Sequence, residues 1–192
     1  ATLPGMRSRT ITISGASKTY AVTGWRVGWC VAPPNLTNAI RKVHDFLTVG
    51  APAPLQEAVA VALGFDQAYY DELASSYRQR REVLVDHLQR VGFGCSLPRG
   101  AYYVMTDISN LGFDNDVTCA LWLVEHARVA AVPGSSFYHR REDGARQVRF
   151  AFPKQLPTLH EAGRRLAAAL RGRVGEGSGN DREDGATTRP PL

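Results

Sequence analysis

Residues 14–29 read SGASKTYAVTGWRVGW. One of only three lysines in a chain with 20 arginines stands here, at Lys18, in a loop of small and hydroxyl-bearing residues. Upstream, TITIS at 10–14 is β-branched and alternating, which predicts a short strand. Downstream, RVGWCVA at 26–32 is an apolar run without helical period, bounded by Gly24 and by Pro33-Pro34, which predicts a buried strand. A strand–loop–strand unit with small residues at its bend lets backbone approach a ligand closely.

A lysine amine becomes nucleophilic at neutral pH when desolvation or a nearby cation lowers its pKa. Ser17 and Arg26 can both hold a phosphate, the hydroxyl as a donor and the guanidinium as a planar fork. An amine beside a phosphate cup suits pyridoxal phosphate, whose aldehyde is captured and whose phosphate is the anchor. On spacing alone two other readings stay open. Lys18 is then a solvated surface charge, or half of a Ser-Lys hydrolase dyad. The dyad needs an oxyanion hole and leaves the Gly-Trp-Arg turn unexplained.

Further along, Asn35 is the expected cap of a helix over LTNAIRKVHDFLTV, 36–49, which GAPAP at 50–54 breaks. A helix over 55–63 follows. Residues 66–91 place Leu73, Tyr77, Val83 or Leu84, Leu88 and Val91 at helical spacing, predicting one long amphipathic helix that ends at Gly92. Strands are expected at 101–107, 129–133 and 146–152, with helices at 115–127 and 156–171. These make a small, mostly antiparallel sheet with helices packed on it. Residues 172–192 are poor in apolar side chains and rich in Gly, Asp, Arg and Pro, the composition of a disordered tail.

The bulk numbers exclude several classes. No stretch approaches the ~20 apolar residues that span a bilayer, and the N-terminal residues are not a signal peptide. Cys30, Cys95 and Cys119 are odd in number and far apart, as reduced core thiols of a cytoplasmic protein would be. The net charge is +5, but the arginines are scattered, which argues against nucleic acid. None of the five histidines stands at metal-ligand spacing from another histidine or a cysteine. Trp25 and Trp29 read as core residues. Of Tyr102 and Tyr103, alternating on a strand, one faces the active cleft and the other packs.

The stretch SGASKTYAVTGWRVGW resembles the cofactor-lysine signature of the class I/II, fold type I, pyridoxal-phosphate aminotransferases. PRGAYYVMTDIS at 98–109, VAAVPGSSFY at 129–138 and VRFAFPK at 148–154 are similar to later segments of that family, in the same order. The resemblance covers roughly residues 1 to 170 and implies an α/β chain. Residues 1–50 would end the large cofactor-binding domain, and residues 51–171 would form the complete small C-terminal α+β domain with its long interdomain helix. It implies Lys18 as the Schiff-base lysine and proton carrier, Ser17 and Arg26 as phosphate ligands, and Arg149 as the receiver of the substrate α-carboxylate. An alternating strand would put Arg149 on the face opposite Val148 and Phe150. The family commonly has serine where this chain has Gly15, so either the phosphate loses one hydroxyl contact or Ser14 substitutes through a bulge. The GAPAP loop resembles one that touches the partner subunit's site.

The resemblance further implies a homodimer, and transfer of an amino group between an amino acid and a 2-oxo acid. The family's aspartate for the pyridine nitrogen and the aromatic cover of the ring have no match here. The two terminal strands also cannot form an independent sheet. The expectation is therefore that the chain is the C-terminal portion of a longer polypeptide and inactive alone. Two alternatives use the same fold: a pyridoxal-phosphate lyase or decarboxylase, and a non-catalytic ligand-sensing domain.

Overall fold

The computed structural model describes residues 1–176. Two compact units divide at Tyr69–Tyr70. This division falls in the first turn of the long helix. The reason is local packing: the helix that follows GAPAP gathers against the lysine loop through Val59 and Leu55.

The first unit opens with β1 (Thr12–Gly15), the single-turn α1 (Ala16–Thr19) and β2 (Gly28–Val31). β1 and β2 pair antiparallel from Thr12↔Val31 to Gly15↔Gly28 with no extra residue on either strand. The bulge through which Ser14 would substitute is absent, because the glycines close the ladder. A Cβ on Gly28 would come within 3.0 Å of the Ser14 carbonyl oxygen. β2 is not the buried strand its composition predicts: only Trp29 is partly covered, and Val31 is 64% exposed. A two-stranded ribbon has too little neighbouring surface to bury both faces. The same geometry exposes Cys30, so of the three thiols only Cys119 is fully buried, and Cys95 is half-buried. Trp29 does pack against the small core of Ala16, Val27 and Val59, whereas Trp25 lies at the surface.

Two helices complete this unit. α2 (Pro34–Leu47) starts on Pro33 and carries Pro34 in its first turn. Asn35 makes no cap hydrogen bond, since a proline already supplies the preset φ and lacks the donor a cap would satisfy. α2 stops short of Val49, whose φ of +61° and the +155° of Gly50 are incompatible with a helix. α3 (Ala53–Leu63) follows.

The long helix α4 (Gln67–Arg90) buries Leu84 and Leu88 of the predicted stripe and also Val85, which the stripe did not include, while Leu73, Tyr77 and Val91 are partly covered, and it ends before Gly92 at φ +96°. The second unit adds β3 (Tyr103–Asp107), α5 (Asp116–Trp122), β4 (Val132–Pro133), β5 (Gln147–Ala151) and α6 (Leu156–Glu176). Asn115 caps α5, its side-chain oxygen accepting from the Thr118 N–H at 2.9 Å. The helix loosens to a π turn over Leu123–Ala127 before Arg128 reverses the chain at φ +55°. The three strands form an antiparallel sheet in the order β3-β5-β4. β4 is shorter than predicted because only Val132 and Pro133 find partners on β5. α6 runs to Glu176, five residues into the stretch read as tail; the rest of that stretch lies outside the described residues.

Val148 and Phe150 of β5 point into the core with Leu88, Leu123, Phe152 and Leu166. Burying each such side chain fully contributes about 1.5–3 kcal/mol. Thr106 is buried among them and its hydroxyl donates to the Val148 carbonyl at 2.9 Å. Among the described residues no helix is long and apolar enough to cross a membrane.

α4 and α6 also meet through a histidine pair, His87 Nε2 to His160 Nδ1 at 3.0 Å. One ring must be neutral to accept that bond. Burial and then His160 lower the His87 pKa below 6.5, with Asp86 opposing and Arg90 adding to the effect. Glu161 and Arg164 of α6 stand on the same rim. A depressed histidine pKa means that the unfolded chain binds the proton first as pH falls. The stability is present near neutrality and is lost as pH drops through the unfolded value. Between about pH 7.5 and pH 5 the melting temperature should fall, and fall less in His87→Gln. An equal slope in the variant would show that the pair does not set it.

Candidate functional site

Lys18 projects from α1, with its side chain exposed. A one-turn helix persists here because neighbours tie it at both ends. The Ala16 N–H donates to the Val27 carbonyl at 3.1 Å, and the Tyr20 N–H donates to the Ala16 carbonyl at 3.1 Å. The Tyr69 hydroxyl donates to the Thr19 carbonyl at 2.7 Å, and its ring stacks on Tyr20 at 5.9 Å. Ala16, immediately before Ser17 and Lys18, is fully buried and anchors the turn.

Thr23 joins the lysine turn to the arginine turn. Its hydroxyl donates to the Ser17 carbonyl at 3.0 Å, while its own carbonyl accepts from Arg26 Nη1 at 3.0 Å. Arg26 itself sits at φ +56°, a conformation that a side-chain-bearing residue adopts at a cost. That left-handed residue turns the chain from the Thr23–Trp25 turn into Val27 and β2. Among the described residues Nη1 is the one Arg26 nitrogen engaged, so Nε and Nη2 remain to donate. Thr23 thus joins Ser17 to Arg26, with Lys18 next to Ser17 in the same turn. Sequence reading missed Thr23 and Tyr69. The Thr-Gly-Trp segment pointed to the first, but nothing local pointed to the second, fifty residues from its partner.

Arg149 belongs to the second unit, on the central strand β5 opposite Met105 of β3 and Val132 of β4. As alternation requires, Val148 and Phe150 are buried while Arg149 lies on the other face. Its guanidinium carbon stands 4.7 Å from the Tyr103 ring centroid and 4.2 Å from that of Phe137. Among the described residues no carboxylate pairs with it. Tyr103 is thus the tyrosine on the arginine's face, while Tyr102 packs against the core. Ser14 stays on the regular ladder opposite Trp29, exposed. Groups of three or more metal-ligating side chains are absent among the described residues.

The first unit therefore offers an accessible amine with a hydroxyl and a partly free guanidinium, and the second a cation that is held but not neutralised. Residues 3–162 match the family described as aminotransferase class I and II. The chain is 37% identical over 182 residues to a kynurenine–oxoglutarate transaminase of Dictyostelium discoideum, a match covering 84% of this chain and 42% of that protein. It is 38% identical over 168 residues to an aspartate aminotransferase of Musicola paradisiaca (strain Ech703), covering 87% and 41%. Among solved structures it is similar to the N-succinyldiaminopimelate aminotransferase of Mycobacterium tuberculosis, with a TM-score of 0.83 at 38% identity, over 88% of this chain and 44% of that one. The chain spans about two fifths of the length of these curated relatives. By its sequence match, and with a fold that agrees, the chain belongs to the class I and II aminotransferase family.

Proposed function

We propose that this chain supplies the reactive amine and the carboxylate-binding guanidinium of an aminotransferase. The reaction moves an amino group between an α-amino acid and a 2-oxo acid with pyridoxal phosphate. The observation that carries the proposal is the Lys18 turn, which bears an exposed lysine and is tied through Thr23 to an arginine that keeps donors free. This donor set fits the cofactor: an amine for an aldehyde, and a hydroxyl with a guanidinium for a phosphate. When bound, the cofactor supplies an electron sink for the charge that develops at the substrate α-carbon.

The protein's own residues then divide the work. Lys18 Nζ would hold the cofactor at rest, and its free amine would serve as general base for the substrate α-proton and, once protonated, as general acid. Ser17 and Arg26 hold the phosphate, and Ser14 adds a hydroxyl from the strand itself. Arg149 receives the α-carboxylate through two parallel N–H···O bonds, which orient the α-carbon. We place the protein in the cytoplasm, where an exposed free thiol such as Cys30 persists. We infer a homodimer, and the exposed apolar residues Phe46, Leu47 and Val49, at 93%, 76% and 87%, are compatible with a partner surface over this end of α2.

Borohydride reduction of the chain mixed with pyridoxal phosphate, followed by peptide mass spectrometry, tests the assignment. The expected adduct is on Lys18. Adducts spread evenly over Lys18, Lys42 and Lys154, or none, would mean that the pocket is not formed in this chain, and the same result in the full-length protein would overturn the assignment.

A further inference from the structure

Arg149 has an unusual setting for a partly buried cation. Among the described residues it has neither an ion-pair partner nor a hydrogen-bond acceptor, yet two aromatic rings hold it. A contact through a ring face uses the charge of the guanidinium and none of its N–H donors. The side chain is thus restrained before any ligand arrives, and its five donors stay available.

The two rings come from different elements. Tyr103 starts β3, one strand away from β5. Phe137 ends the short turn Gly134–Phe137 that follows β4. Phe137 is 45% exposed, which by itself would let it wander. The turn beneath it does not permit that. Gly134 is packed against the backbone of Gly144 and Gln147, and a Cβ there would come within 2.6 Å of both carbonyl oxygens. The next residue, Ser135, donates its N–H to Asp116 Oδ2 at 2.7 Å, and Asp116 is 2% exposed at the start of α5. On the other side, the Tyr138 hydroxyl donates to Gln147 Oε1 at 2.8 Å. An exposed aromatic ring fixed by a buried carboxylate, a glycine–glycine backbone contact and a tyrosine hydrogen bond is costly to build for packing alone.

We propose that Phe137 and Tyr103 are positioning residues for Arg149. They hold its guanidinium in the orientation that accepts a carboxylate, with the Asp116–Ser135 bond aiming Phe137. The proposal rests on the reading of Arg149 as the carboxylate receiver. Neither ring touches the reacting atoms; they act by removing the disorder that a ligand would otherwise have to remove on binding. Their loss should therefore appear mainly in KM and little in kcat.

The test uses the intact protein loaded with pyridoxal phosphate. The dissociation constant of a 2-oxo acid is measured by calorimetry, alongside KM and kcat for both substrates. Phe137→Leu keeps apolar bulk on the turn and removes the aromatic face, and Phe137→Tyr keeps the face. The expected result is about a 3- to 10-fold weaker 2-oxo acid affinity in Phe137→Leu, from the loss of one cation–π contact. Phe137→Tyr should restore the affinity, and KM should shift more than kcat. Wild-type affinity in Phe137→Leu, with Arg149→Ala still losing binding, would overturn this proposal and leave the reading of Arg149 standing. Wild-type affinity in Arg149→Ala would overturn that reading itself. A loss that Phe137→Tyr fails to restore, or one confined to kcat, would also overturn the positioning role.

Discussion

Lys18→Ala in the intact protein is expected to lower amino-transfer turnover by about 10⁴-fold, the upper end of what a positioned general base contributes. The expectation follows from the turn that presents the amine. Ala16 is buried beneath it, Thr23 ties it to the arginine turn, and Tyr69 closes its end. These three contacts run through Ala16, Thr23 and Tyr69 and not through the lysine amine, so the turn should survive the truncation, which removes the side chain beyond Cβ together with its Nζ. Circular dichroism should accordingly be unchanged. Lys18→Arg sharpens the experiment. Arginine keeps the positive charge but stays protonated at any working pH, so it can neither attack an aldehyde nor accept the α-proton. It should be as inactive as alanine. Substantial turnover in Lys18→Arg would mean that position 18 serves only as a surface charge, and the functional proposal would fall.

The second large effect belongs to Arg149. Each charge-assisted hydrogen bond to a carboxylate contributes about 1.5–3 kcal/mol. Two of them lost in Arg149→Ala correspond to about 10²–10⁴-fold in kcat/KM, at about 1.4 kcal/mol per tenfold. Arg149→Lys should recover little of this. An ammonium presents a point charge, not a planar fork, and its stem cannot lay a flat delocalised group against Phe137 and Tyr103. Steady-state kinetics with both the amino acid and the 2-oxo acid decide the matter, because the same carboxylate is present in both. A defect for one substrate alone would show that Arg149 reads something other than the α-carboxylate. The lysine adduct formed with pyridoxal phosphate should persist in both variants, since Arg149 and Lys18 have separate tasks.

What could be read from the order of residues alone was whatever has a short period or a local turn chemistry. Val148-Arg149-Phe150 alternates, and one residue in two of a half-buried strand must face away from the core, so the order of residues alone puts Arg149 on the outer face. The stripe Leu84–Leu88 and the glycine after Val91 delimit α4 for the same reason. The Ser-Lys and Thr-Gly-Trp-Arg segments marked the lysine loop through residue chemistry and through their resemblance to one family. The registers that join distant residues were not legible. Phe137 meets Arg149 because the glycine-packed turn after β4 delivers it there, and His87 meets His160 across 73 residues of chain. Nor is burial assigned by hydropathy alone: RVGWCVA is apolar enough for a core strand, while in this chain, about two fifths the length of its relatives, its ribbon leaves Cys30 and Val31 exposed. Periodicity states which side chains share a face. Only the packing of one element on another decides what that face meets, and here it sets two aromatic rings against a guanidinium that no carboxylate pairs among the described residues.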